Sequence, residues 1–241
     1  MNAGTADAAQ FEPTRWSVVL RARAEESAVR RRALEELGRA YWPPLYAFLR
    51  RSGRGTEDAE DIVQELFVRL MDGTLLANAH PARGKLRTLL LAALRQVDAD
   101  AWRRAGAQKR GGGKELVRLD TRAAEAWVVA DSAPDASPEE MFDRTWATAV
   151  MDRAWARVRL DYGTPERAAL FAELAPRLSG ETNGTLAAAG QRLGLGEDAA
   201  KKALSRLRRR LAEALRAEVA ETVGSRGEVQ DELRHLLSLF S

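Results

Sequence analysis

Six cations stand between positions 201 and 210, Lys201, Lys202, Arg206, Arg208, Arg209 and Arg210, with no acid among them. Long cationic side chains at helical spacing reach phosphate oxygens and guanine edges, so the chemistry on offer is nucleic-acid binding rather than bond making. They belong to "TLAAAGQRLGLGEDAAKKALSRLRRRL", residues 185–211. A short helix is expected to end there at Gly194, followed by a tight turn and a longer helix from about Glu197. Leu186, Leu193, Ala200, Leu204 and Leu207 fall where two crossed helices would bury them, which is the helix-turn-helix pattern. The plain alternative is a solvated basic helix in a bundle.

A second basic cluster ends "LRTLLLAALRQVDADAWRRAGAQKRGGGK", residues 86–114. Arg103, Arg104, Lys109, Arg110 and Lys114 follow an amphipathic helix, with Trp102 beside them. Cations that hold phosphates next to a ring that stacks on bases suit single-stranded or melted DNA. Against this, Trp102 can be ordinary core, and cations at a helix C-terminus complement its dipole.

"DAEDIVQELFVRL", residues 58–70, has the opposite sign, with four carboxylates in its first eight residues. Ala59, Ile62, Val63, Leu66, Phe67 and Leu70 form a stripe that must face its own domain. Asp58, Asp61, Gln64 and Glu65 are then left outside, with Val68 as an apolar intruder. DNA repels such a face, so any partner it has is a basic protein surface, where charge pairing supplies orientation and on-rate. A merely solvated acidic face is the alternative.

Other chemistries lack their residues. The chain has no cysteine and only His80 and His235, which excludes disulfides and argues against zinc. "GGGK" at 111–114 lacks the upstream glycine and the following Ser/Thr of a phosphate-binding loop, since Gln108 and Glu115 occupy those places. No nucleophile–base–acid spacing points to catalysis, and no cofactor is expected. The net charge of +3 is small, so the placement of charge says more than its sum.

The scaffold carrying these residues is expected to be helical. Ala, Leu, Arg and Glu dominate and aromatics make up 6% of the chain, so an all-α protein is expected. Leu34, Leu37, Tyr41, Leu45 and Phe48 mark a helix over about 29–51, which Pro43 and Pro44 should kink or restart. Before it, Trp16, Val19 and Leu20 share one side of a helical segment. Thr56 is the expected N-cap of the acidic helix, "DGTLLANAHPARG" reads as a loop, and a leucine-rich helix covers about 85–104. Glycine- and proline-rich stretches between 105 and 138 read as a linker. Helical period resumes at Pro138, with Met141, Phe142, Trp146, Val150 and Trp155 as expected core. Further helices are expected near 164–178, 184–193, 197–222 and 227–240. The division is 14–106, a tether at 107–137, 138–222, and a tail at 223–241. No signal peptide or run long enough to span a membrane is visible, so a cytoplasmic protein is expected.

An acidic helix, a basic-aromatic helix, a tether and a helix-turn-helix, in that order, resemble the bacterial sigma factors of the extracytoplasmic-function type, in the sigma-70 family. "DAEDIVQELFVRL" is similar to that family's "DAEDLVQETFLRLW" segment, and "YWPPLYAFLRR" and "AQKRGGG" also resemble a branch of it. The resemblance implies two helical domains, regions 2 and 4, and a non-enzymatic role in promoter-specific initiation. It implies Asp58, Asp61, Gln64, Glu65 and Val68 as contacts to core RNA polymerase, through the β′ clamp helices, with the β flap as a further contact. Arg95, Gln96, Trp102, Arg103, Arg104, Lys109 and Arg110 would meet the −10 element, Gln96 standing where relatives often place Asn. Glu197, Lys201, Lys202, Ser205, Arg206, Arg208 and Arg209 would meet the −35 element.

Several residues depart from the family pattern. Asp98 and Asp100 put negative charge inside the −10 reader. Gly190 replaces the usual Ala and Gly196 the usual Ser N-cap, each expected to weaken the motif by ~1 kcal/mol. The amphipathic tail, with Val229, Leu233, Leu236, Leu237 and Phe240 on one stripe, either packs on its own domain or regulates by covering the DNA helix or meeting an inhibitor. An anti-sigma protein is left open as a partner. The competing readings are a stand-alone helix-turn-helix regulator and a helical adaptor without DNA binding.

Overall fold

Leu34, Leu37, Tyr41, Leu45 and Phe48 recur every three or four residues and all five are buried, which is why Ser27–Arg51 forms a helix, α1. The computed structural model describes residues 27–72, 85–107, 125, 135–180, 184–223 and 225–240. Among these, every regular element is helical, so the fold is all-α as expected. After α1 come α2 (Thr56–Met71), α3 (Leu86–Ala107), α4 (Pro138–Leu160), α5 (Pro165–Leu174), a 3-10 turn (Ala175–Arg177), α6 (Leu186–Arg192), α7 (Glu197–Ala220) and α8 (Arg226–Ser238). None of the described helices is long and apolar enough to cross a membrane. The expectations for Trp16, Val19, Leu20, His80, the loop after α2, Lys109, Arg110 and the GGGK stretch lie outside the described residues.

Two helix boundaries differ from expectation. α1 runs through Pro43 and Pro44 without restarting. The prolines withhold two backbone donors, but Tyr41, Trp42, Leu45 and Tyr46 around them are at most 4% exposed. Full burial of each such side chain contributes roughly 1.5–3 kcal/mol, and together these outweigh two missing helical bonds. Thr56 is the first residue of α2 rather than its cap. Gly55 takes the cap position in extended backbone and no side chain caps the helix, while Glu57 and Asp58 in its first turn complement the helix dipole.

The described chain forms two compact units, one within Met1–Ala149 and Val219–Ser241, the other Val150–Glu218. The first is built on α1, α2 and α3, which pack on one another. Ala59, Ile62, Val63, Leu66 and Leu70 from α2 and Leu86, Leu90, Leu94 and Val97 from α3 are buried, while Phe67 is only half-buried and stacks on Trp42 at 6.0 Å. The expected tether is fastened to this unit at two described points. Glu125 accepts bonds from Tyr46 Oη at 2.6 Å and from Arg50 Nη2 at 2.9 Å, and the Ala136 carbonyl accepts from Arg51 Nε at 2.5 Å. Burial and the bond to Glu125 push the Tyr46 hydroxyl up to about 12, and the Arg50 guanidinium holds the Glu125 carboxyl below its ordinary range.

The same unit takes in the first half of α4 and the tail helix α8, so it cuts the chain differently from the expected 138–222 and 223–241 segments. The cause is a charge cluster absent from any local pattern. Glu232 of α8 has a fully buried side chain paired with Lys85 and with Arg87 Nε at 2.6 Å. Arg87 also reaches Asp143 of α4 at 2.6 Å and lies over the Trp146 ring, and His235 Nε2 sits 3.1 Å from Asp143. Burial pushes the Glu232 carboxyl up, but Arg87 and Lys85 pull it further, to a net value below the ordinary range. On α8 the buried apolar residues are Leu233 and Leu236, while Leu237 and Phe240, expected on the same stripe, are each 52% exposed.

The second unit holds the rest of α4, α5, α6 and most of α7. Trp155, expected as core, is instead half-buried and lines an open groove of about 570 Å³ with Leu160, Phe171 and Pro176. Met141, Phe142, Trp146 and Val150 of α4 are buried as expected.

Candidate functional site

α3 carries its buried leucines on one side, and the opposite side follows from the same period. Thr88, Ala92, Arg95, Ala99 and Trp102 recur every three or four residues and are all exposed, as are the flanking Gln96 and Arg103. Arg95 and Trp102 are seven residues apart, about 10 Å along the axis. Of the exposed positions between them, Ala99 is small and Gln96 is polar. Trp102 is 68% exposed, so the core role considered for it does not hold; Trp42 and Trp146, which are core, are 4% and 0% exposed.

The cations of this face are held by partners. Arg95 pairs with Glu139 at the start of α4 and lies over the Phe48 ring. Arg103 Nη2 donates to Asp100 at 2.5 Å, and Arg69 of α2 donates to the other oxygen of Asp100 at 2.6 Å. The bond from Arg69, joined by Arg103 and Arg104, holds the Asp100 carboxyl below its ordinary range. Asp98 pairs with Arg54 at 2.8 Å. The two aspartates whose charge opposes a nucleic-acid role are therefore each neutralised by an arginine and serve to hold it. Arg54, from the loop between α1 and α2, also lies over Trp102 at 5.3 Å from the ring centroid. No spacing argument could single it out, because it sits in "SGRGTED" and meets Trp102 only through folding.

On α2 the outer residues behave unequally. Asp58 and Asp61 are exposed, whereas Gln64, Glu65 and Val68 are half-buried. Glu65 accepts from Arg69 at 2.9 Å and has Arg104 of α3 at 3.8 Å. The exposed acidic edge is thus at the N-terminal end of α2, and its C-terminal end is tied to α3.

In the second unit, Thr185 caps α6 by accepting from the Ala188 N–H at 3.2 Å. Gly194 then turns the chain at φ +65 and α7 begins at Glu197. Gly190 does not weaken this turn as expected. A Cβ there would lie 2.9 Å from the Leu195 carbonyl and 3.2 Å from the Ala200 Cβ, and the Leu195 N–H donates to the Gly190 carbonyl at 2.8 Å. Its missing side chain is what lets the turn close on α6. Ala200 and Leu207 are buried beneath, while Leu186, Leu193 and Leu204 are half-buried. Glu197, Lys201, Lys202, Ser205, Arg206, Arg208, Arg209 and Arg210 are all exposed. Their pairs are local: Lys201 with Glu197 at 2.7 Å, and Arg209 and Arg210 with Glu213 at 3.7 and 3.9 Å.

The first unit thus presents an acidic edge on α2 and a basic, aromatic ridge on α3, and the second presents a basic helix beside a tight turn. The family model of Sigma-70 region 2 matches residues 37–108, which span most of α1 and all of α2 and α3. The match covers less than a third of the chain and likens this stretch alone to sigma-70 region 2. No curated protein and no solved structure matches the chain.

Proposed function

We propose that this chain is a sigma factor of the extracytoplasmic-function type, which binds core RNA polymerase, directs it to promoters and helps open the −10 element. The observation that carries this reading is the coincidence, inside the matched stretch 37–108, of an exposed acidic edge with an exposed ridge of Arg95, Gln96, Trp102, Arg103 and Arg104. Opposite charge on two helices of one unit lets it hold a basic protein surface and nucleic acid at once. Region 2 occupies about residues 14–106. Region 4 lies within 138–222, where α7 meets the −35 element through Lys201, Lys202, Ser205, Arg206, Arg208 and Arg209, near Glu197. Lys109 and Arg110 extend the −10 contacts from the linker. Asp58, Asp61, Gln64, Glu65 and Val68 meet the β′ clamp helices, and the β flap is a further contact. The protein acts by binding, in the cytoplasm where polymerase and promoter meet, and its promoter affinity falls steeply with salt.

The test is initiation from a promoter by core polymerase with and without the full chain. Promoter-dependent transcripts only in its presence support the reading. Tight, specific duplex binding without polymerase would favour a stand-alone regulator instead, and no DNA affinity in any form would favour an adaptor. Asp61→Arg separates the interface from the family: it is expected to weaken polymerase binding, and unchanged binding would move the interface elsewhere on the unit.

A further inference from the structure

The environment of Trp102 suggests a task for two residues that no interface above includes. Arg54 Nη2 lies 2.8 Å from Asp98, one helical turn before Trp102, and its guanidinium carbon stands 5.3 Å from the Trp102 ring centroid. Arg54 itself is anchored. Its N–H donates to the Leu49 carbonyl at 3.0 Å, and its carbonyl accepts from Arg50 Nη1 at 2.7 Å. Arg50 in turn is held by Glu125. A chain of fixed groups therefore backs the indole with a planar cation, while 68% of the residue is open to solvent.

We infer that Arg54 and Asp98 are positioning residues that hold Trp102 as a stacking platform for an unpaired DNA base. The inference rests on the reading of α3 as a DNA-facing helix. A large flat ring left in water gains by covering its open part, and a base does so without regard to sequence because every base has a π-face. A base still paired in a duplex is stacked on its neighbours and offers no such face, so the partner is single-stranded. Arg103, 73% exposed in its side chain and next in the chain, supplies a phosphate contact beside the ring. The role of Asp98 is the least expected part. It carries negative charge on a DNA-facing helix, yet through Arg54 it favours binding.

This gives a test by sign. The full chain is assembled with core polymerase, and binding of a fluorescently labelled, random-sequence single-stranded DNA 12-mer is followed by anisotropy. Trp102→Ala is expected to weaken binding about tenfold, in line with loss of one stacked base. Asp98→Asn removes a negative charge, and simple electrostatics expects tighter binding. The platform instead expects binding roughly three- to fivefold weaker, with Arg54→Ala at least as weak, since Asp98 and the ring act through the same guanidinium. Neither variant should add to the loss in Trp102→Ala, and polymerase affinity should stay within about twofold because α2's exposed edge is untouched. Tighter binding by Asp98→Asn overturns the inference, as do losses that add fully to that of Trp102→Ala or full restoration by Arg54→Lys, which would make Arg54 a plain phosphate contact. If Trp102→Ala itself binds as well as the parent, or the parent does not bind, the DNA-facing reading of α3 fails. If Trp102→Ala weakens binding and Arg54→Ala does not, only the positioning role falls.

Discussion

The two basic helices hold their charge in different ways. On α3, Arg95, Arg103 and Arg104 are tied to acids of α4, α3 and α2, and Arg54 from a loop backs Trp102. On α7 Lys201, Arg209 and Arg210 pair, among the described residues, with acids three or four residues away, Glu197 and Glu213. One face is therefore held by tertiary contacts, whereas the other is a solvated fringe of long side chains. A preorganised face can fix where a base or phosphate sits, whereas a solvated one supplies mostly sequence-tolerant attraction.

Breaking the tertiary support of the first unit should give the largest effect. Glu232→Ala leaves Lys85 and Arg87 facing a buried gap, and removal of one partner from such a cluster costs about 3 kcal/mol, the low end because Arg87 keeps Asp143. Chemical denaturation should show this loss in the full chain. The same group makes stability depend on acid. Its folded value lies below the unfolded one, so its stabilisation is complete above the ordinary glutamate range and disappears as pH falls through the depressed value. Glu232→Gln should flatten that acid limb of a denaturation-against-pH curve.

Next in size is Gly190→Ala, which tests whether the second unit is as local as its charges suggest. The new Cβ meets backbone at 2.9 Å, so the turn must shift, at about 1–3 kcal/mol. Thermal unfolding should register this, and a stabilised variant would show that the turn has room to spare.

The contrast in DNA binding is smaller and is sharpened by salt. Arg208→Ala with Arg209→Ala should reduce the salt slope of promoter binding by roughly two, one for each phosphate no longer neutralised, with little change in sequence preference. A change of preference without a change of slope would give α7 the preorganised character assigned to α3. The smallest effect is expected at Glu197→Gln. The pair with Lys201 is exposed on both sides and screened by solvent, so the denaturant midpoint should stay unchanged within error.

Much of this was legible in order along the chain. The stripes of α1, α2 and α3 and the restart at Pro138 announced themselves through period, because burial on one side of a helix repeats every 3.6 residues. Illegible were features that depend on what lies across the helix. Pro43 and Pro44, where a kink or restart is expected, stand inside one continuous helix whose residues beside them are core. Leu237 and Phe240 lay on an apolar stripe that only half finds a partner. Asp98 and Asp100 oppose a DNA role by charge until arginines from other elements meet them, and Gly190 weakens the turn on paper until the Leu195 carbonyl and Ala200 Cβ are seen to need its missing side chain.

Helical character, the rough position of each helix and the sign of charge on its outer face can be read along the chain, since these depend on residues within a few turns of one another. Which carboxylate meets which guanidinium is settled by packing. Arg69 and Asp100 are 31 residues apart and Arg87 and Glu232 are 145 apart. No periodicity reaches across such distances, because packing alone brings those groups within a few ångströms.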